Sequence, residues 1–476
     1  MRRLIAMFIV CTVVFSASVY AQEDSTDVNM VKSLGEKVDE LSGKVDGIQE
    51  DYLATKATVD KISKVKLSGY LQTQIRVAKD TAGQLNPDYT NRYDIGEFQG
   101  GKLPAATRTV FQLRRARIKT TYATSLTQMV VQLDCLPFTT GSAVSSTTQD
   151  TSGKYTVKTK TSAFLSGGGV SIKDAYLRFT DPWTKSFALK GGVFDRPFGF
   201  EISYSSSSRE SPERSRLYQT LFPGERDLGF SLEYLPGDNL PKFAQFFNFK
   251  GGFFAGNGIN VEFDDLRDFI GRAGFSIPII PINMSIDGGV SGYVGNVRDR
   301  NDTLYEVKSG KWAASTGKKW DDVDKRYIGG DLELFYGNIP FFGGICLRGE
   351  FIKGKQPSFK STNVSQKTGQ SSKDPVYLRE IGGYYGMVVL NIDPVRCQLV
   401  GKYDSFDPEM NLEKKEVTNA ADIKYSTIGG GLVYHLTENV KLTAYYDNVR
   451  NEKSSVAPFT SDVKDDVVTF RVQYKF

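Results

Sequence analysis

Across 476 residues the chain carries one histidine, three tryptophans and four cysteines. With only His435 present, no multi-histidine metal site can form. A hydrolase built on that imidazole would need a partnered nucleophile that the sequence does not supply. Cys11 lies in an N-terminal apolar run without the small-residue context of a lipoprotein cleavage site. Cys135, Cys346 and Cys397 are scattered, which excludes a disulfide framework or a close CxxC pair. Long apolar runs are also missing: beyond residues 4–15, no stretch approaches the roughly 20 residues a helix needs to cross a bilayer. Neither sign of charge dominates, with 60 Lys and Arg against 55 Asp and Glu, which argues against a dedicated nucleic-acid binder. The carboxylate sets Asp264, Asp265, Asp268 and Asp321, Asp322, Asp324 lack the spacing of a calcium loop, and no phosphate-cradling GxxxxGK[ST] occurs. No cofactor, metal or catalytic site is expected.

What is present is alternation. Residues 468–476 place Val468, Phe470, Val472, Tyr474 and Phe476 on one face and Thr469, Arg471, Gln473 and Lys475 on the other. A terminal strand of this kind, ending on an aromatic, suits the closing strand of a transmembrane barrel. At the other terminus Arg2 and Arg3 precede the apolar run, and Val19-Tyr20-Ala21 offers small residues for cleavage before Gln22. Residues 1–21 are therefore expected to be an export signal. An exported membrane protein without spanning helices must close its backbone hydrogen bonds in a barrel. The mean hydropathy of −0.32 alone looks soluble, but 46 Gly, 31 Phe and 24 Tyr fit a wet interior with aromatic girdles.

Residues 22–64 read differently. Val31, Leu34, Val38, Leu41, Val45, Ile48, Tyr52, Thr55, Val59 and Ile62 recur at spacings of three and four, a heptad seam. Gly35, Gly43 and Gly47 each weaken that helix by about 1 kcal/mol, so it is expected to form by association as a coiled-coil stem of two or three strands. The alternative is a single amphipathic helix lying on the barrel rim.

From residue 65 to 476 the sequence predicts an all-β domain, a transmembrane antiparallel barrel of about 16 strands. Expected strands lie near 65–77, 110–122, 126–134, 170–180, 185–195, 227–235, 243–256, 267–277, 282–295, 325–337, 343–353, 377–391, 395–405, 424–435, 440–449 and 466–476. Short turns at Asp181-Pro182, Pro236-Gly237, Pro278, Asn338, Asp393-Pro394 and Glu438-Asn439 alternate with long polar links. Such alternation predicts short periplasmic turns and long outer loops, with the stem below the pore and Ser/Thr-rich stretches 136–169 and 355–373 facing outward. An even count near 16 implies an aqueous channel.

Phe111-Gln-Leu-Arg-Arg-Ala-Arg-Ile118, Lys173-Asp-Ala-Tyr-Leu177, Gly191-Gly-Val-Phe-Asp-Arg-Pro-Phe-Gly-Phe-Glu201, Pro212-Glu-Arg-Ser215 and Arg226-Asp-Leu-Gly229 occur in an order that resembles the phosphate-selective porin O and P family. The resemblance runs from about Leu67 to the C-terminus and includes Gly429 and Gly431. It implies a sixteen-stranded trimeric outer-membrane porin with a basic pore, narrowed by an inward-folded outer loop. That loop would span Arg196 to Arg226, carrying Arg196, Glu201, Arg209, Glu213, Arg214 and Arg226, with Glu210, Glu225 and Arg216 beside them. It does not carry the family's phosphate-selecting residues onto this chain one by one.

Alternation independently points Lys66, Arg76, Arg115, Arg117, Lys119, Arg178 and Lys190 inward against Asp134 and Asp174, a basic wall suited to anions. Over later strands, Arg348, Lys402, Lys441, Arg471 and Lys475 oppose Asp331, Glu333, Glu350 and Asp404, which is close to neutral. For any one residue the alternative is pairing with a neighbouring carboxylate. The expected function is passive diffusion of small anions such as phosphate or polyphosphate, with membrane lipid as partner. The alternatives are a weakly selective porin and an adhesive barrel acting through its loops.

Overall fold

The computed structural model describes residues 25–78, 96–101, 103, 108–135, 144–149, 155–160, 169–259, 265–299, 301–317, 321–362 and 374–476. The expected export signal, Asp264 and much of the two Ser/Thr-rich stretches lie outside them. Residues up to Val65 form one compact unit and Lys66–Phe476 another. In the first, helix α1 spans Ser25–Ile62 and leaves Leu34, Val38, Leu41, Val45, Ile48, Tyr52, Val59 and Ile62 exposed.

The second unit is a closed barrel of 16 antiparallel strands. They are β1 (Val65–Ala78), β2 (Thr109–Ala123), β3 (Thr127–Cys135), β6 (Val170–Thr180), β7 (Phe187–Asp195), β8 (Arg226–Tyr234), β9 (Phe247–Phe254) and β10 (Asp268–Ile279). The circuit continues through β11 (Met284–Arg298), β14 (Asp322–Tyr336), β15 (Ile345–Ser358), β16 (Val376–Ile392), β17 (Cys397–Asp407), β18 (Tyr425–His435), β19 (Val440–Asn451) and β20 (Val467–Lys475). Closure comes from β20 on β1, in register from Tyr70 against Lys475 to Ala78 against Val467. Each wall strand alternates with the apolar side outward. On β8, Leu228, Phe230 and Leu232 are exposed while Asp227, Ser231 and Glu233 are buried inside. That inverts a soluble protein, as a lipid solvent requires.

Two hairpins escape the alternation pattern: β4 (Val144–Gln149) with β5 (Tyr155–Lys160), and β12 (Thr303–Lys308) with β13 (Lys311–Thr316). The second also pairs in parallel with β16, Leu304 opposite Val376. Strands β11, β14 and β15 run farther toward the long-loop end than expected, to Arg298, from Asp322 and to Ser358. Backbone pairing continues there although the apolar signal stops where the lipid belt ends.

The interior departs from a simple wet channel. Phe198, Ile202, Leu217, Tyr218, Leu221 and Phe222, all from the connection between β7 and β8, pack with Ile270, Tyr293, Tyr327, Ile352, Ile381, Tyr385 and Phe406 of the wall from β10 to β17. An apolar core therefore fills part of the lumen.

Candidate pore constriction

The connection from Arg196 to Glu225 leaves the barrel wall at Pro197 and includes helix α2 (Arg216–Leu221). Its first anchor is Glu350 on β15. This carboxylate accepts the backbone N–H groups of Phe200 at 2.7 Å and Glu201 at 2.8 Å, and the hydroxyls of Tyr218 and Tyr385. Gly199, at φ +61, brings the chain so close that a Cβ would collide with Tyr218 and Glu350, so glycine is required there.

The opposite edge is held by charge. Glu213 receives Arg114 at 2.8 Å and Arg115 and Arg471 at 2.7 Å each. Burial opposes its ionisation, and the guanidiniums of Arg114, Arg115 and Arg471 overcome this, holding it well below the usual carboxylate range. Glu201 bonds Lys402 at 2.9 Å and Ser215 Oγ at 2.7 Å; burial again opposes and Lys402 prevails, so its pKa is lowered. Glu210 meets Arg348 at 3.3 Å, and Lys441 donates to the carbonyls of Ser207 and Arg209, both at 2.9 Å. Arg214 donates to the carbonyls of Glu201, Ile202 and Tyr204 and to Glu225. The Arg196 guanidinium bonds Asp227 at 3.2 Å. Arg209 is different: its guanidinium nitrogens are buried without a hydrogen-bond partner among the described residues, and burial followed by repulsion from Arg115 pushes its pKa down to about 10.

Within the wall, Arg117 pairs with Asp134 at 2.6 Å and touches Tyr70 Oη and Ser206 Oγ. Arg178 reaches Glu233 at 2.9 Å, while Lys190 lies 3.5 Å from Asp195 and 3.7 Å from Glu233. Arg76 instead donates to the carbonyls of Gly96 and Gly101 and to Gln112 Oε1. Lys119 has no hydrogen bond or ion pair among the described residues, and Lys66 is exposed at the start of β1. Part of the wall read as one-sidedly basic is thus paired: Arg115, Arg117, Arg178 and Lys190 meet carboxylates on a neighbouring strand, on their own strand or on the inserted loop, while Arg76, Lys119 and Lys66 do not.

Sequence reasoning missed three features. Arg114 and Arg115 are adjacent yet both reach Glu213, so β2 changes phase between them. Lys173 is skipped in the pairing of β3 with β6, where Gln132 faces Asp174 and Leu133 faces Ile172, so Lys173 and Asp174 both serve the lumen. The second is a β-bulge, and in both strands two successive charged residues in an alternating pattern were the available signal. Third, residues 96–101 also fold inward: Gln219 Nε2 donates to Phe98 O at 2.8 Å, and Arg216 lies between the rings of Phe98 and Tyr425.

Two of the cavities beside the apolar core carry several charged side chains. A cavity of about 330 Å³ is lined by Arg117, Lys119, Arg214, Arg226 and Lys475 with Asp174, Asp195 and Glu225, alongside Tyr70 and the serines 203 and 205–207. Another of about 370 Å³ is lined by Lys173, Arg196, Arg226 and Lys325 with Asp134.

The fold is one that solved structures share. The chain is similar over 90% of its length to OprB of Pseudomonas putida, covering 97% of that chain at TM-score 0.50 and 8% identity. It also matches the outer membrane channel DcaP of Acinetobacter baumannii (TM-score 0.47, 13% identity, 87% of this chain and 97% of that one). An anion-selective porin from Comamonas acidovorans matches at TM-score 0.46 and 12% identity, covering 87% of this chain and 99% of that one. No family model and no curated protein matches the sequence. At these identities the likeness concerns the fold.

Proposed function

We propose that the protein is a porin of a Gram-negative outer membrane, through which small anionic solutes such as phosphate or polyphosphate diffuse down their gradients. The carrying observation is the lining of the two cavities, five cations to three carboxylates in one and four to one in the other. Fixed positive excess between low-dielectric walls concentrates anions and repels cations. The outward apolar faces of the strands meet lipid, the long loops lie outside, and the stem lies in the periplasm, where its apolar seam joins three copies into a trimer. Arginine can hold two oxygens of an oxyanion, and several moderate sites in series permit release as well as capture.

The pairing of Glu201, Glu210 and Glu213 with wall cations favours a second reading, a weakly selective general porin. The zero-current potential of the purified protein in planar bilayers under a KCl gradient separates them. A chloride-favouring potential with phosphate block of the chloride current is expected; an unselective or cation-favouring potential supports the second reading.

A further inference from the structure

The two cavities have one lining residue in common, Arg226. The ion pairs around it form the partition between them. Arg117 lines the smaller cavity and its partner Asp134 the larger. Lys173 lines the larger cavity, and its partner Glu225, 3.0 Å away, lines the smaller. Arg226 itself spans to Asp174 at 2.8 Å and Glu225 at 2.7 Å. Across the lumen, the loop is sealed by buried aromatic and aliphatic side chains. An apolar seal offers an ion nothing in place of its water, whereas an ion-pair partition contains cations that an incoming anion can adopt.

Glu225 is the centre of that partition. Its carboxylate holds Lys173, Arg214 and Arg226 together, and its side chain retains 19% exposure. The residue sits at φ +66 immediately after Gly224 at φ +73, a left-handed conformation unusual for a side-chain-bearing residue and one that costs energy to maintain. Lys173 reaches it only because of the bulge in β6. Two irregularities of the backbone thus converge on one carboxylate between two basic cavities.

We propose that Glu225 is an anionic latch. Resting on the anion-porin reading above, solute passes along the β3 and β6 wall when an oxyanion replaces the Glu225 carboxylate on Lys173 and Arg226 and is then handed from the larger cavity to the smaller. The ligand class is a small oxyanion with at least two acceptor oxygens, because displacing Glu225 frees one donor on Lys173 and another, Nη1, on Arg226, while Asp174 keeps Nε. No bond is made or broken, and the step exchanges one anionic partner for another.

The test uses the full chain in planar bilayers, with KCl gradients and then inorganic phosphate, on the wild type, Glu225→Gln, Arg226→Gln, Arg226→Lys and the control Arg298→Gln, which with its partners Asp265 and Asp322 lines neither cavity. Heat-shifted gel mobility verifies folding. Glu225→Gln is expected to raise single-channel conductance about twofold or more and to strengthen phosphate block. Arg226→Gln should weaken block and shift the potential toward cations, while Arg226→Lys restores the potential without the block, because an ammonium lacks the fork. If Glu225→Gln does not fold, the contrast between Lys and Gln at 226 carries the test. An anion-selective wild type whose Glu225 and Arg226 variants behave like Arg298→Gln overturns the latch. An unselective wild type overturns the anion reading and the latch with it.

Discussion

Lys119 and Arg115 lie on the same strand, four residues apart, and they carry the same charge into different surroundings. Arg115 is matched by Glu213, whereas Lys119 faces the smaller cavity without a partner among the described residues. Arg115 lines neither charged cavity, so its charge acts on a solute there from farther away than that of Lys119. Lys119→Gln is therefore expected to reduce the chloride-favouring potential more than Arg115→Gln does; the reverse order in bilayer recordings would place the anion path elsewhere. Glu213 itself holds three guanidiniums, and Glu213→Gln leaves buried cations unmatched at a cost of about 3–5 kcal/mol. The expected sign is a lower unfolding midpoint and faster proteolysis within residues 196–225. Because the folded-state pKa values of Glu201 and Glu213 are depressed, their stabilising contribution is complete above the ordinary Glu value and is lost as pH falls through the lower folded values. The loop should therefore resist protease at mildly acidic pH, where ordinary glutamates already take up protons.

Among the elements, the bulges and turns decide which side chains meet the solute. Strict alternation would send Arg114 and Lys173 to lipid, where a charge costs about 2–4 kcal/mol at mid-depth, so the change of phase in β2 and the extra residue in β6 turn a liability into a luminal cation. A single cysteine at 114 or 173, in a variant lacking Cys135, Cys346 and Cys397, should react with a membrane-impermeant thiol reagent; labelling only by a lipid-soluble reagent would show that the strand keeps its regular phase. The β6–β7 turn illustrates the opposite case, local chemistry readable from residue types. Asp181 accepts the N–H groups of Phe187 at 2.9 Å, Thr184 at 2.6 Å, Ser186 at 2.9 Å and Trp183 at 3.1 Å, and these bonds lower its pKa.

For the molecule as a whole, α1 is the element whose apolar seam is exposed among the described residues. Its 38 residues span about 57 Å at 1.5 Å per residue, with an exposed apolar seam and three glycines, which is poor material for a solitary helix. Association of three copies would bury that seam. If the proposed trimer forms through this stem, deleting residues 30–63 is expected to lower the temperature at which it dissociates on gels, and an equally heat-resistant truncated assembly would remove the stem from that role.

The strand count, the strand positions within a few residues and the outward faces follow from sequence alone, because a two-residue period with lipid on one side leaves a direct trace in residue type. Turns such as that at Asp181 are equally local. The site was legible only as a list: Arg117, Arg226 and Glu213 stood out by charge, but a charge does not name its partner. Tertiary structure decided that Asp134 neutralises Arg117, that Glu350 anchors a loop 150 residues earlier in the chain, and that aromatic residues of that loop fill part of the lumen. Those outcomes depend on closing β20 against β1 and turning the loop inward, which bring residues from distant strands within hydrogen-bonding distance; a periodicity read along the chain holds no record of who stands across the barrel.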